Sequence, residues 1–140
     1  MSFGLAPRFE FRPDGTIVAR AGTQTNCGGI ALLHIRISPN PSNALTFGPD
    51  FDPAWEGDRY GGEVPGRAIP DHYRQAAFKG ALDAFNAFDT VSGAHFEILD
   101  ALVHAVDANL WKFREAGYRA MEGWLQSRGF RQMNAEDDEP

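Results

Sequence analysis

Cys27 and the four histidines His34, His72, His95 and His104 are the side chains of this 140-residue chain best suited to direct chemistry. Cys27 stands in Thr25-Asn26-Cys27-Gly28-Gly29, a loop thiol flanked by glycine amides that a nearby base would activate. The nearest candidate base, His34, follows on an extended segment, which at about 3.3 Å per residue puts it roughly 23 Å away. Cys27 therefore reads as a small hydrophobe or an inert loop thiol. The histidines and Cys27 lack the close pair spacings of a metal site, and His95 and His104 fall on opposite faces of one expected strand. Asp50 and Asp52 lie in a proline-rich loop, where paired carboxylates are solvated rather than catalytic. No Gly-x-x-x-x-Gly-Lys-[Ser/Thr] occurs, so the phosphate cradle of a P-loop nucleotidase is missing and no nucleotide is expected. The expectation is a protein that is not an enzyme and needs no cofactor or metal.

The elements that would carry these residues follow from periodicity. Arg8 to Arg12 alternates charged and aromatic residues, Thr16 to Arg20 is β-prone, and Pro13-Asp14-Gly15 between them is turn chemistry, which predicts a hairpin with Phe9 and Phe11 facing the core. Ile30 to Ile37 reads as a third strand with Leu33, Ile35 and Ile37 on one face and His34 and Arg36 on the other. Residues 38 to 70 are proline-rich and without helical period, so a long loop pinned by Trp55 and Tyr60 is expected there. Pro70, Asp71 and the spacing of Tyr73, Ala77, Ala81, Phe85 and Phe88 predict a helix over 71 to 87. His95 to Val106 reads as a fourth strand whose alternation blurs around Leu102 and Val103. Asp107 or Asn109 can then cap a second helix with an inward stripe of Leu110, Phe113, Gly117, Met121, Trp124 and Leu125, ended by Gly129. The order β-β-β-α-β-α predicts an α+β two-layer sandwich with both helices on one face of the sheet.

Composition sets the frame. The chain is 43% hydrophobic with eleven Phe, enough for a single core spanning residues 1 to 133, followed by an acidic, disordered tail over 134 to 140. The formal charge is −6, and the tail's Glu136, Asp137, Asp138 and Glu139 leave the body at −2, too near neutral for tight, sequence-independent binding of naked nucleic acid. No apolar segment approaches the length of a membrane helix, and a lone cysteine suits a reducing compartment, so a cytoplasmic protein is expected.

Two motifs carry a resemblance. Ile69-Pro-Asp-His-Tyr-Arg-Gln-Ala-Ala-Phe-Lys-Gly80 is similar to the Ile-Pro, Tyr, Ala and Lys-Gly pattern that opens the first helix of domain IV of translation elongation factor G. His104-Ala-Val-Asp-Ala-Asn109, followed by Phe113 and Ala116, is similar to that family's His-x-Val-Asp segment between its last strand and last helix. Gly61-Gly62-x-Val64-Pro65 also resembles the family's Gly-Gly-x-x-Pro, with extra residues, Gly66 to Ala68, before Ile69-Pro70. The similarity runs from about Arg20 to Trp124. It implies a mixed four-stranded sheet, a left-handed βαβ crossover, and a tip at one end of the domain that reaches into the ribosomal decoding region.

Position by position, the resemblance places Gly22, Thr23, Gln24, Thr25 and Asn26 in one tip loop and His104, Asp107 and Asn109 in the other. It therefore implies a non-catalytic, translation-factor-like module that binds the ribosome or structured RNA through these residues. His104 can donate to phosphate or ribose oxygens, and Thr25 and Asn26 can read polar edges. Thr23 to Asn26 contains no base, and Ala105, Ala108 and Leu110 replace polar residues usual in the family. These departures and the acidic balance support the alternative, a protein-protein interaction or regulatory domain that keeps the fold without RNA binding. No domain that would couple it to GTP hydrolysis is recognisable in these 140 residues.

Overall fold

The computed structural model describes residues 8–22, 30–48, 62–65, 69, 71–90, 92–103 and 109–133. Eight elements follow in order: β1 (Phe9–Phe11), β2 (Ile17–Gly22), β3 (Ile30–Asn40), β4 (Leu45–Phe47), β5 (Gly62–Pro65), α1 (Asp71–Asn86), β6 (Gly93–Val103) and α2 (Leu110–Ser127). The strands form one mixed sheet in the order β1-β2-β3-β6-β4, with β5 also paired to β6. The α+β sandwich expected from sequence is therefore present, with six strands among the described residues rather than four.

The two additional strands lie inside the stretch expected to be a loop. β4 runs parallel to β6 through Leu45↔Ala94 and Phe47↔Phe96, and β5 runs antiparallel to it from Gly62↔Val103 to Pro65↔Asp100, so the two share its outer edge. Each is too short to show an alternation of its own, and pairing with β6 makes it a strand. The turn into β4 is held by Asn40, whose amide donates to Ala94 O at 2.9 Å while its carbonyl accepts from Ser42 N at 2.8 Å. Trp55 and Tyr60 fall outside the described residues.

The opening hairpin has the expected turn. Gly15 takes φ 86°, Arg12 N donates to Thr16 O at 2.7 Å, and the Asp14 carboxylate accepts from Thr16 N at 2.9 Å. Phe9 packs against the core as expected, but Phe11, at the turn end of the edge strand β1, is 42% exposed.

One face of the sheet is apolar: Ile17, Ala19, Leu33, Ile35, Ala94, Phe96 and Ile98 are all buried. A bulge where His34/Ile35 faces β6 inserts Leu99 between Ile98 and Asp100, which shifts the alternation so that Ala101 returns to the buried set. That bulge is the reason the pattern blurs towards the end of the strand. Both helices cover this face, α2 over β2 and β3 and α1 beside β4 and β6.

The helices lie side by side and parallel, since their contacts advance in step. Tyr73 stacks on Phe113 with ring centroids 4.6 Å apart, Gly117 meets Ala77, and Gly80 meets Arg114 and Tyr118. A Cβ on Gly80 would sit 1.8 Å from Arg114 O, and one on Gly117 would sit 2.0 Å from Ala77 O. The paired glycines thus let the two backbones touch. Phe113, Gly117, Met121, Trp124 and Leu125 are buried as expected, whereas Leu110 is 47% exposed and does not belong to the inward stripe. α2 closes in a Schellman pattern, with Phe130 N bonded to Leu125 O, Gly129 N to Gln126 O and Gly129 at φ 87°. The chain then returns to α1 through Asp89 N to Arg131 O at 2.8 Å and Met133 N to Ala87 O at 2.6 Å.

Candidate functional site

Strand register brings the ends of β2 and β6, from which the two expected tip segments lead, to one end of the sheet. β2 ends and β3 begins at the pair Gly22↔Ile30, while two residues along β3 Leu32 faces Leu102, one residue before β6 ends. The chain leaving Gly22 and the chain leaving Val103 therefore depart from neighbouring positions. β5 starts opposite Val103 and α2 starts at Leu110, so both also begin at this end.

Of the expected site residues, Gly22 and Asn109 are described. Gly22 closes β2 at φ 80°, a left-handed conformation that glycine adopts without strain. Asn109, extended at φ −154° and ψ 130°, caps α2: its side chain accepts from Trp111 N at 2.8 Å and Lys112 N at 3.3 Å. Its carbonyl oxygen is committed to the helix. Thr23, Gln24, Thr25, Asn26, His104 and Asp107 lie outside the described residues, as does Cys27.

Two clusters beyond the expected residues stand out. On the sheet face away from the helices, His34 Nε2 lies 2.7 Å from Thr16 Oγ1 and His34 Nδ1 lies 3.0 Å from Asp100 Oδ2. The Thr16 hydroxyl is also 2.6 Å from Asp14 Oδ1. Hydroxyl, imidazole and carboxylate stand in the order of a nucleophilic triad, but Thr16 is only 2% exposed and already tied to Asp14, so it cannot reach a substrate. The line instead braces the first turn, β3 and β6. Donation from the Thr16 hydroxyl and amide holds the exposed Asp14 carboxyl below its ordinary value of 3.8. The period-2 reading places His34 on this face; nothing local points to Asp100, its partner across the sheet.

The second cluster is apolar. Trp111, 73% exposed, and Leu110 stand on the first turn of α2, beside an open depression of about 530 Å³ between His72, Ala76 and Lys79 of α1 and Leu110, Trp111 and Arg114 of α2. Arg114 lies 6.0 Å from the centroid of the Trp111 ring and is paired with Asp83 at 2.6 Å. Behind Trp111, Glu115 is bonded to Arg119 at 2.6 Å and paired with Lys112 at 3.5 Å. Partial burial raises the Glu115 carboxyl, and the two cations outweigh it, leaving the group below its ordinary value.

The architecture recurs in a bacterial protein. The chain is similar to the crystal structure of ttk003000868 from Thermus thermophilus, with a TM-score of 0.51 at 17% identity over 76% of this chain. The match covers 14% of that much longer chain, and at this identity it speaks for the fold alone. No family model and no curated protein matches the sequence. Among the described residues no helix is long and apolar enough to cross a membrane, and no three His, Cys, Asp or Glu side chains are grouped to hold a metal ion.

Proposed function

We propose that this chain is a non-catalytic, translation-factor-like module that binds the ribosome or a structured RNA with the end of the sheet where β2, β3 and β6 meet. The observation that carries the reading is the register, which starts the 23–29 and 104–108 segments from adjacent strand ends. The resemblance of residues 69–80 and 104–109 to domain IV of elongation factor G supports it, and so does a fold that recurs as a small part of a longer chain. The test is sedimentation of the full chain through a sucrose gradient with ribosomes, at low and moderate salt, for wild type and His104→Ala. Co-migration that the variant loses is the expected result; wild-type protein that stays at the top of the gradient at low salt, where ionic contacts are strongest, removes the reading.

The formal charge of −6 favours a second reading, a protein-interaction domain. It predicts a specific protein partner whose association survives high salt.

A further inference from the structure

The depression beside Trp111 has a chemistry of its own. Single exposed apolar side chains are ordinary on protein surfaces, but Leu110 and Trp111 are consecutive, 47% and 73% exposed, and open onto one groove. Among the described residues, the ionisable side chains lining that groove are His72, Lys79 and Arg114, without a carboxylate. Lys79 is exposed and forms no ion pair among the described residues. On its other flank Trp111 borders a different depression, lined by Asp83, Glu115 and Glu122 as well as Arg114 and Arg119. Among the described residues the indole thus divides a side that holds the unpaired Lys79 from a side where Asp83 and Glu115 are already paired with Arg114 and Arg119 and Glu122 adds a third carboxylate. A flat apolar ring with cations on one side suits a ligand that is itself flat, apolar on its faces and anionic at one edge.

We infer that the Trp111 groove is a stacking subsite for one unpaired nucleobase of an RNA, with the base against the Trp111 indole and the adjoining phosphate towards Lys79 and His72. The inference rests on the RNA-binding reading above and names the ligand class it takes at this place. Leu110 supplies apolar surface, and Lys79 fixes the orientation, because the cations on the other flank, Arg114 and Arg119, are already paired with Asp83 and Glu115. An acidic protein segment would satisfy Lys79 but leave the indole without a planar partner.

The experiment measures binding of the full-length chain to a fluorescein-labelled oligoadenylate and to an abasic phosphodiester chain of equal length. Trp111→Ala, Trp111→Phe and Lys79→Glu are compared, all three altering exposed side chains, with thermal melts to verify folding. Trp111→Ala should weaken oligoadenylate binding about tenfold, whereas Trp111→Phe retains most of it, as a lost stacking partner requires. Lys79→Glu should weaken both ligands and lower the salt slope by about one phosphate contact. The abasic chain should bind weakly and ignore Trp111→Ala. Equal oligoadenylate binding by wild type and Trp111→Ala, or none by wild type, overturns the subsite. Ribosome co-sedimentation separates the two claims: if it persists in wild type while oligoadenylate ignores Trp111, only the subsite falls; if it is absent while oligoadenylate stacks on Trp111, only the ribosome reading falls.

Discussion

Asn109 shows how much one side chain decides here. Its carbonyl oxygen satisfies two amides at the start of α2, so Asn109→Ala should destabilise the fold by about 1 kcal/mol in urea titration, while Asn109→Asp, which keeps the acceptor, should cost far less. Asp14 makes a pH prediction. Its carboxyl lies below the ordinary value in the folded chain, so its contribution is present above that value and is lost as pH falls through the lower, folded one. Asp14→Asn should therefore lower stability slightly at neutral pH and flatten the acid limb of the stability curve below about pH 4. Both residues are visible in the sequence, Asp14 as turn chemistry and Asn109 as one of two possible caps. Which of the two caps α2 depends on backbone geometry. Leu110 reads as inward from its spacing, and is not, because a helical stripe shows which face is apolar but not where the neighbouring helix stops covering it.

At the scale of elements, the contact between α1 and α2 is the sharpest constraint. Alanine favours a helix over glycine by about 1 kcal/mol, so an exposed site would gain from the change. At Gly80 or Gly117 the added methyl meets a backbone carbonyl at 1.8 or 2.0 Å, and no side chain can rotate away. Gly80→Ala and Gly117→Ala should each destabilise the fold by about 1–3 kcal/mol or more, seen as a lower urea midpoint. Helix existence, helix bounds and the first three strands were legible because each repeats its period over many residues. β4 and β5 were not, since three or four residues carry no period and their strand character comes from the edge of β6. The bulge at Leu99 left a trace in sequence as lost alternation, but only the pairing with β3 shows its cause.

For the whole molecule, charge is distributed unevenly along the chain. Removing residues 134–140 deletes Glu136, Asp137, Asp138 and Glu139 and no base, taking the formal charge from −6 to −2. That deletion should tighten association with oligoadenylate at low salt, and the gain should vanish at high salt if it is electrostatic in origin. The α+β class followed from the order of elements alone. The neighbourhood of the two segments expected at the tip did not, because residues 23–29 and 104–108 are far apart in sequence and only the register of β2, β3 and β6 brings their roots together. The parallel run of α1 and α2 adds a field to this arrangement. Peptide dipoles aligned along a helix amount to about half a positive charge at its N-terminus, and here two such ends open in the same direction, next to His72 and Trp111. Asp71 and the Asn109 cap offset part of that potential. An acidic protein thereby keeps one end at which an anion is met by backbone dipoles as well as by side chains.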